Sequence, residues 1–106
     1  MPGTESGDRD TEVAVAHVKV ASNNIIVSIT NRKGDTICWA SAGSCGFKGA
    51  RKSTFVAGLS TGQRSAERAR ELGVAAVEIR LKGAGPGADG AIAGLDAGGL
   101  KLLGKP

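Results

Sequence analysis

Aromatic side chains are nearly missing from this sequence: Trp39, Phe47 and Phe55 make up 3% of its 106 residues. Its core must therefore be assembled from Val, Ile, Leu and Ala, which fill space well but bury little area per side chain. Cysteine is also scarce. Cys38 and Cys45 are too few for a disulfide-rich secreted scaffold and lack the short paired spacing of a zinc site, so they read as reduced thiols. No apolar run approaches the roughly 20 residues that a bilayer-crossing helix requires. Residues 1–10 are acidic and polar, with neither an apolar signal core nor an Arg-rich transit pattern. The expectation is a soluble chain that carries no address and has no membrane partner.

What is present points elsewhere. A net charge of +4 and a pI near 9.4 attract acidic partners, of which nucleic acid is the commonest. The length suits one domain, and a hydrophobic content of 41% suffices for one modest core. The 17 glycines weigh more. Glycine lets a backbone approach a phosphate closely, but in quantity it weakens an independent fold, so a domain this rich in it is expected to lean on a partner.

Residues 1–11 hold Pro, Gly, Ser, Thr and charges, with nothing apolar between Met1 and Val13. They read as a disordered arm, leaving residues 12–106 as the folded domain. β-branched residues dominate 13–20 and 24–30, which predicts two strands. The turn at Asn31, Arg32, Lys33, Gly34 and Asp35 returns the chain into a third strand over 36–41, completing an antiparallel meander. Residues 42–53 form a glycine-rich, basic connection expected to be a surface loop without regular structure. Ser53 or Thr54 can cap a helix over 55–72 that ends at Gly73, with Gly58 and Gly62 predicting either irregular first turns or turns held by packing. Val77, Ile79 and Leu81 alternate with Glu78 and Arg80 as a fourth strand. A glycine turn at 83–87, a weak helix over 88–97 ended by Gly98 and Gly99, and a short last strand over 100–103 follow. The order βββαβαβ suits a mixed β-sheet with helices packed on it, an α/β single domain.

Chemistry concentrates between Gly43 and Thr54. Gly43, Gly46 and Gly49 permit close approach, Lys48, Arg51 and Lys52 supply charge, Ser53 and Thr54 supply hydroxyls, and a helix begins there. Each feature suits phosphate, and the arrangement exceeds what solubility needs. Two nucleotide motifs are approached and missed. Gly46 is followed after four residues by Arg51, Lys52 and Ser53, but a P-loop needs glycine where Arg51 stands, because the backbone there wraps the β-phosphate. The run from Gly85 to Gly90 satisfies a dinucleotide fingerprint literally, yet the acid expected about 20 residues later falls where the sequence reads Gly104, Lys105 and Pro106. Those glycines read instead as a tight turn beside Lys82 whose amides can face a nucleic-acid backbone.

No acids are placed for catalysis. Glu67 and Glu71 stand at helical spacing among arginines, Glu78 alternates with Arg80, and Asp89 and Asp96 lie in a glycine-rich segment. His17, the sole histidine, has no Asp or Cys near it in sequence and reads as a packed or surface residue. Ser28 and Ser41 lack a nucleophile-elbow context. Trp39 can stack on a base or anchor the core, and with so few aromatics it is assigned to the core. Arg64, Arg68 and Arg70 fall on a charged helix face that touches RNA or solvent.

The segments Asn23 to Thr30, Trp39 to Gly43 and Gly46 to Thr54 resemble the bacterial and organellar branch of the small-subunit ribosomal protein eleven family. The likeness continues through Glu71 to Val74, Val77 to Gly83, Gly85 to Gly87 and Ala97 to Leu100, covering residues 13–103 in one register. The resemblance implies a non-catalytic ribonuclease-H-like fold that needs no cofactor and no metal. It further implies a structural constituent of the small subunit, bound as a monomer to the central domain of the rRNA on the platform, beside neighbouring platform proteins and near the mRNA exit. By that similarity the RNA-facing parts are Asn23 and Asn24, Arg32 and Lys33, Ser41 and Gly43, and the run Gly46, Phe47, Lys48, Gly49, Arg51, Lys52, Ser53 and Thr54. The turn with Lys82, Gly83, Gly85 and Gly87 completes the set. All are glycine, amide, hydroxyl or cation groups suited to phosphate and sugar, Phe47 excepted.

The sequence departs from the family's pattern at Phe55, where a proline usually opens the helix, and at Ala84 and Ala88, which replace a proline and an arginine. It also stops at Pro106, where the family usually continues into a basic tail. These departures point to an organellar ribosome, mitochondrial before plastid, with a bacterial cytoplasmic one as the alternative. Two other functions are left open: a platform module that mainly holds proteins, and a ribonuclease-H-like nuclease.

Overall fold

A computed structural model describes residues 13–21 and 23–104, so the predicted arm at 1–11 lies outside the described residues. Five strands form one sheet in the order β3-β2-β1-β4-β5. They are β1 (Val13–Ala21), β2 (Asn24–Thr30), β3 (Thr36–Ser41), β4 (Ala76–Lys82) and β5 (Lys101–Gly104). β1, β2 and β3 pair antiparallel as the predicted meander, while β4 runs parallel to β1 and β5 parallel to β4. This is the mixed sheet of a ribonuclease-H-like α/β domain.

The period of two decides which side of the sheet is buried. Ala16 pairs with Ile29, Val18 with Val27 and Ala14 with Val77, so these side chains share one face. They form the core with Ile25, Ile79 and Cys38. Helices α1 (Phe55–Glu71) and α2 (Pro86–Ala97) cover that face through Ala57, Ala66, Ala69, Ala91 and Leu95. Each helix lies between strands that run parallel, which makes two crossovers on the same side. Thr61 Oγ1 donates to the Ala57 carbonyl at 2.7 Å, and Ser65 Oγ to the Val27 carbonyl at 3.5 Å, so the hydroxyls under α1 are satisfied.

Gly58 and Gly62 leave α1 regular, and packing is the reason. A Cβ on Gly58 would collide with the Gly87 carbonyl oxygen, and one on Gly62 with that of Ala91. From the other side, Gly90 meets Phe55 and Gly94 meets Leu59 backbone in the same way. Positions 58 and 62 therefore match 87 to 91 and 91 to 95, which makes the helices parallel and brings backbone against backbone. Both helices end alike. The Gly73 and Gly99 amides donate to Arg70 and Asp96, and the Val74 and Leu100 amides donate to Ala69 and Leu95, a Schellman motif in each case. Gly73 and Gly99 hold the left-handed position at φ 98° and 101°.

Three expectations need correction. Residues 42–53 are not free of regular structure: successive turns lead into a short 3-10 helix at Gly49–Ser53. The second helix begins at Pro86, not Ala88, because proline without an amide suits a first helical turn. Trp39 is not in the core. It is 61% exposed, since the register that buries Cys38 and Ala40 turns Trp39 to the opposite face.

Candidate nucleic-acid interface

The strand directions decide which predicted segments meet. β1, β3 and β4 all point their carboxyl ends toward one end of the sheet, and β2 begins there. The corner at Asn23 and Asn24, the connection from Ser41 to Thr54 and the turn from Lys82 to Gly87 are therefore neighbours. Helix α1 packs on β2, and Gly87 at the start of α2 lies against Ile25 and the Ser53 carbonyl, which ties all three segments together. Arg32 and Lys33 are not among them. Their turn joins β2 to β3 at the far end, roughly 20 Å away at 3.4 Å per residue.

Because α1 and α2 are parallel, their amino ends stand side by side at this pole. Both aim the partial positive charge of their dipoles in the same direction. The first turn of α1 carries no acid, and Asp89 is the acid in that of α2. Such an end favours anions.

The connection is braced from within. Ser44 Oγ accepts from the Ser41 amide and donates to its carbonyl, both at 2.9 Å, while Ser41 Oγ accepts from the Ser44 amide at 3.1 Å. The Phe47 amide donates to the Ala42 carbonyl at 3.0 Å, and its ring packs against the core. Buried Ser41 and half-buried Phe47 thus hold the loop in place. Thr54 Oγ1 caps α1 by accepting from the Ala57 amide at 3.2 Å and itself donates to the Arg51 carbonyl at 2.8 Å. Gly43, Gly46, Gly49, Lys48 and Arg51 are exposed, Lys52 is half-buried beside Gly43, and Ser53 is half-buried.

At the third segment, Lys82, Gly83 and Gly85 are exposed, and a Cβ on Gly83 would lie 2.6 Å from the Val20 carbonyl oxygen. Gly87 is buried and serves packing. Asn23 is exposed, and Asn24 Oδ1 accepts from the Ile25 amide at 2.9 Å. The pole therefore offers exposed glycine backbone, cations around a braced loop, and two helix dipoles. Such a combination can hold phosphates.

Among the described residues no three of His, Cys, Asp and Glu come together in a way that would hold a metal ion. His17 is half-buried, with Nε2 at 3.0 Å from Thr30 Oγ1. Burial pushes the Cys38 thiol above its ordinary value of 9.0, against a smaller opposing pull from Arg68. Its Sγ donates to the Ser65 carbonyl at 3.7 Å. Sequence reasoning missed the side-by-side helix ends, for which the only signal was the shared four-residue spacing of Gly58 and Gly62 with Gly90 and Gly94. It also missed Lys19 and Arg80, which the alternation of their strands places opposite the core.

The fold is a mixed-sheet α/β domain with a glycine-rich, cationic pole. Residues 14–104 match the sequence profile of the family Ribosomal protein S11. The small ribosomal subunit protein uS11 of Rhodopirellula baltica is 51% identical over 94 residues, covering 89% of this chain and 74% of that protein. Protein uS11c of Cyanophora paradoxa is 44% identical over 100 residues, covering 94% and 77%, and uS11c of Pleurastrum terricola is 43% identical over 88, covering 83% and 68%. The chain belongs to the ribosomal protein S11 family. It is a structural constituent of the small ribosomal subunit and not an enzyme.

Proposed function

We propose that this protein binds the central domain of the small-subunit rRNA through the pole just described, seated as a monomer on the platform near the mRNA exit and touching neighbouring platform proteins. The observation that carries the reading is the meeting of three sequence-distant segments, two of them glycine-rich and basic and the third an asparagine corner, beneath two parallel helix amino ends. Phosphate and shape contacts supply the recognition, with Lys48, Arg51 and Lys52 as charges and Gly43, Gly46, Gly49, Gly83 and Gly85 as close-approach backbone. Arg32 and Lys33, at the other end, touch a different stretch of RNA. The described residues act as one domain. The host ribosome is bacterial or plastid: bacterial and chloroplast relatives support those two settings, and nothing supports the mitochondrial preference.

The test is binding of a central-domain rRNA fragment across a salt series. Lys48→Ala, Arg51→Ala and Lys52→Ala should each flatten the dependence of log K on log salt by roughly 0.7–0.9, the loss of one phosphate contact. Binding that ignores all three changes sinks the assignment. A protein-holding role is favoured by exposed Phe55 and Val56 at the start of α1, at 44% and 59%. Retention on a platform protein after RNase treatment would establish it.

A further inference from the structure

The face of the sheet opposite the helices carries a second set of groups that meets the pole at Ser41 and Lys82. Register places Trp39 beside Ser28, Ser28 beside His17, and His17 beside Arg80, one row across four strands. The next row toward the pole runs Ser41, Ile26, Lys19, Lys82. His17, Lys19, Ile26, Ser28, Arg80 and Lys82 surround an open depression of about 390 Å³. Lys19, Arg80 and Lys82 are exposed, and Glu78 is the acid on this side of the described strands. Lys82 leads directly into the Gly83 turn, so the charge continues from the pole onto the sheet.

Resting on the proposed rRNA-binding reading, we propose that this open face is a second RNA-binding surface that takes an unpaired stretch of RNA. Lys19, Arg80 and Lys82 contact its phosphates, and Trp39 stacks on a base. Charge decides the class of occupant: three exposed cations against one acid suit a polyanion, and an exposed indole on a sheet is a sequence-tolerant stacking platform. Geometry agrees. Three strand spacings of about 4.8 Å put Trp39 some 14 Å from Arg80, a span that two or three nucleotides cover. Ile26, half-buried in the second row, gives the sugars an apolar floor. Lys19 and Lys82, paired across β1 and β4, repel one another until an anion lies between them.

Trp39 is the sole tryptophan, so the emission of the whole chain reports this face. Titration with a single-stranded RNA of about twelve nucleotides, and separately with the central-domain fragment, should quench that emission. The Lys19→Ala/Arg80→Ala double variant should weaken binding of the fragment roughly tenfold and flatten its salt dependence by about 1.4–1.8, leaving the effect of the Lys48, Arg51 and Lys52 changes intact. Trp39→Leu, a change at an exposed position, should weaken the oligonucleotide several-fold without flattening the slope. If the fragment binds through the pole while emission and the double variant's slope stay unchanged, the open face is not an RNA surface and the pole assignment survives. Failure of the chain to bind any RNA would remove both. Emission that RNA leaves unmoved but that shifts on addition of a platform protein would give the face to a protein partner and overturn the proposal.

Discussion

Glycine does opposite jobs in two regions of this molecule. Along the seam between α1 and α2, Gly58, Gly62, Gly90 and Gly94 are buried, and each lacks a side chain because a neighbouring backbone occupies its place. At the pole, Gly43, Gly46 and Gly49 are exposed, and a Cβ on Gly46 or Gly49 would meet nothing within 4 Å. The seam uses glycine to bring chain against chain inside the protein. The pole leaves the same opening for a molecule from outside. The two are linked, because the seam fixes the helices parallel and so sets both amino ends beside the loop.

The seam gives the largest effect with which to break this contrast. Gly→Ala in a helix ordinarily stabilises by roughly 1 kcal/mol. Gly62→Ala and Gly94→Ala should instead destabilise by about 1–3 kcal/mol, because the new methyl meets backbone that cannot step aside. Chemical denaturation measures it, and a gain in stability from either change would refute the seam. Thr54→Ala should come next, losing about 1 kcal/mol as α1 gives up its cap. Gly46→Ala should lose a similar or smaller amount, since its φ of 97° is strained for alanine although space is free. If Gly46→Ala proved as damaging as Gly62→Ala, the two regions would not differ as described.

The smallest effect comes from Cys38. Its thiol is raised above 9.0 in the folded chain, so the unfolded chain ionises first. The contribution is complete below pH 9 and is lost as pH climbs through the folded value. Stability should therefore fall more steeply above pH 9 in the wild type than in Cys38→Ala, as thermal melts at pH 8 and 10 would show. Equal slopes would mean that the thiol does not ionise on unfolding.

Much of the fold was legible along the chain. A β-branched run placed β2, and the turn chemistry at Asn31 to Asp35 placed β3, both to the residue. Gly73 and Gly99 marked both helix ends, since the left-handed position that closes a Schellman motif selects glycine. The basic, glycine-rich connection was visible as a candidate site for the same kind of local reason. Its internal order was not, because the Ser41 and Ser44 bracing and the Phe47 anchor arise from folded contacts.

Local chemistry, then, is what the sequence determined by itself: strand periods, caps, turn glycines, cation content and the family resemblance all depend on residues near one another in the chain. Tertiary structure decided everything that depends on which distant residues share a side. It turned Trp39 outward, set Arg32 and Lys33 apart from the other cations, and aligned Lys19 with Arg80 and Lys82. It also converted four apparently unfavourable helix glycines into the contact that sets the direction of α2. The physical reason is that strand register and helix packing are pairwise properties, and a single chain read in order contains only one member of each pair at a time.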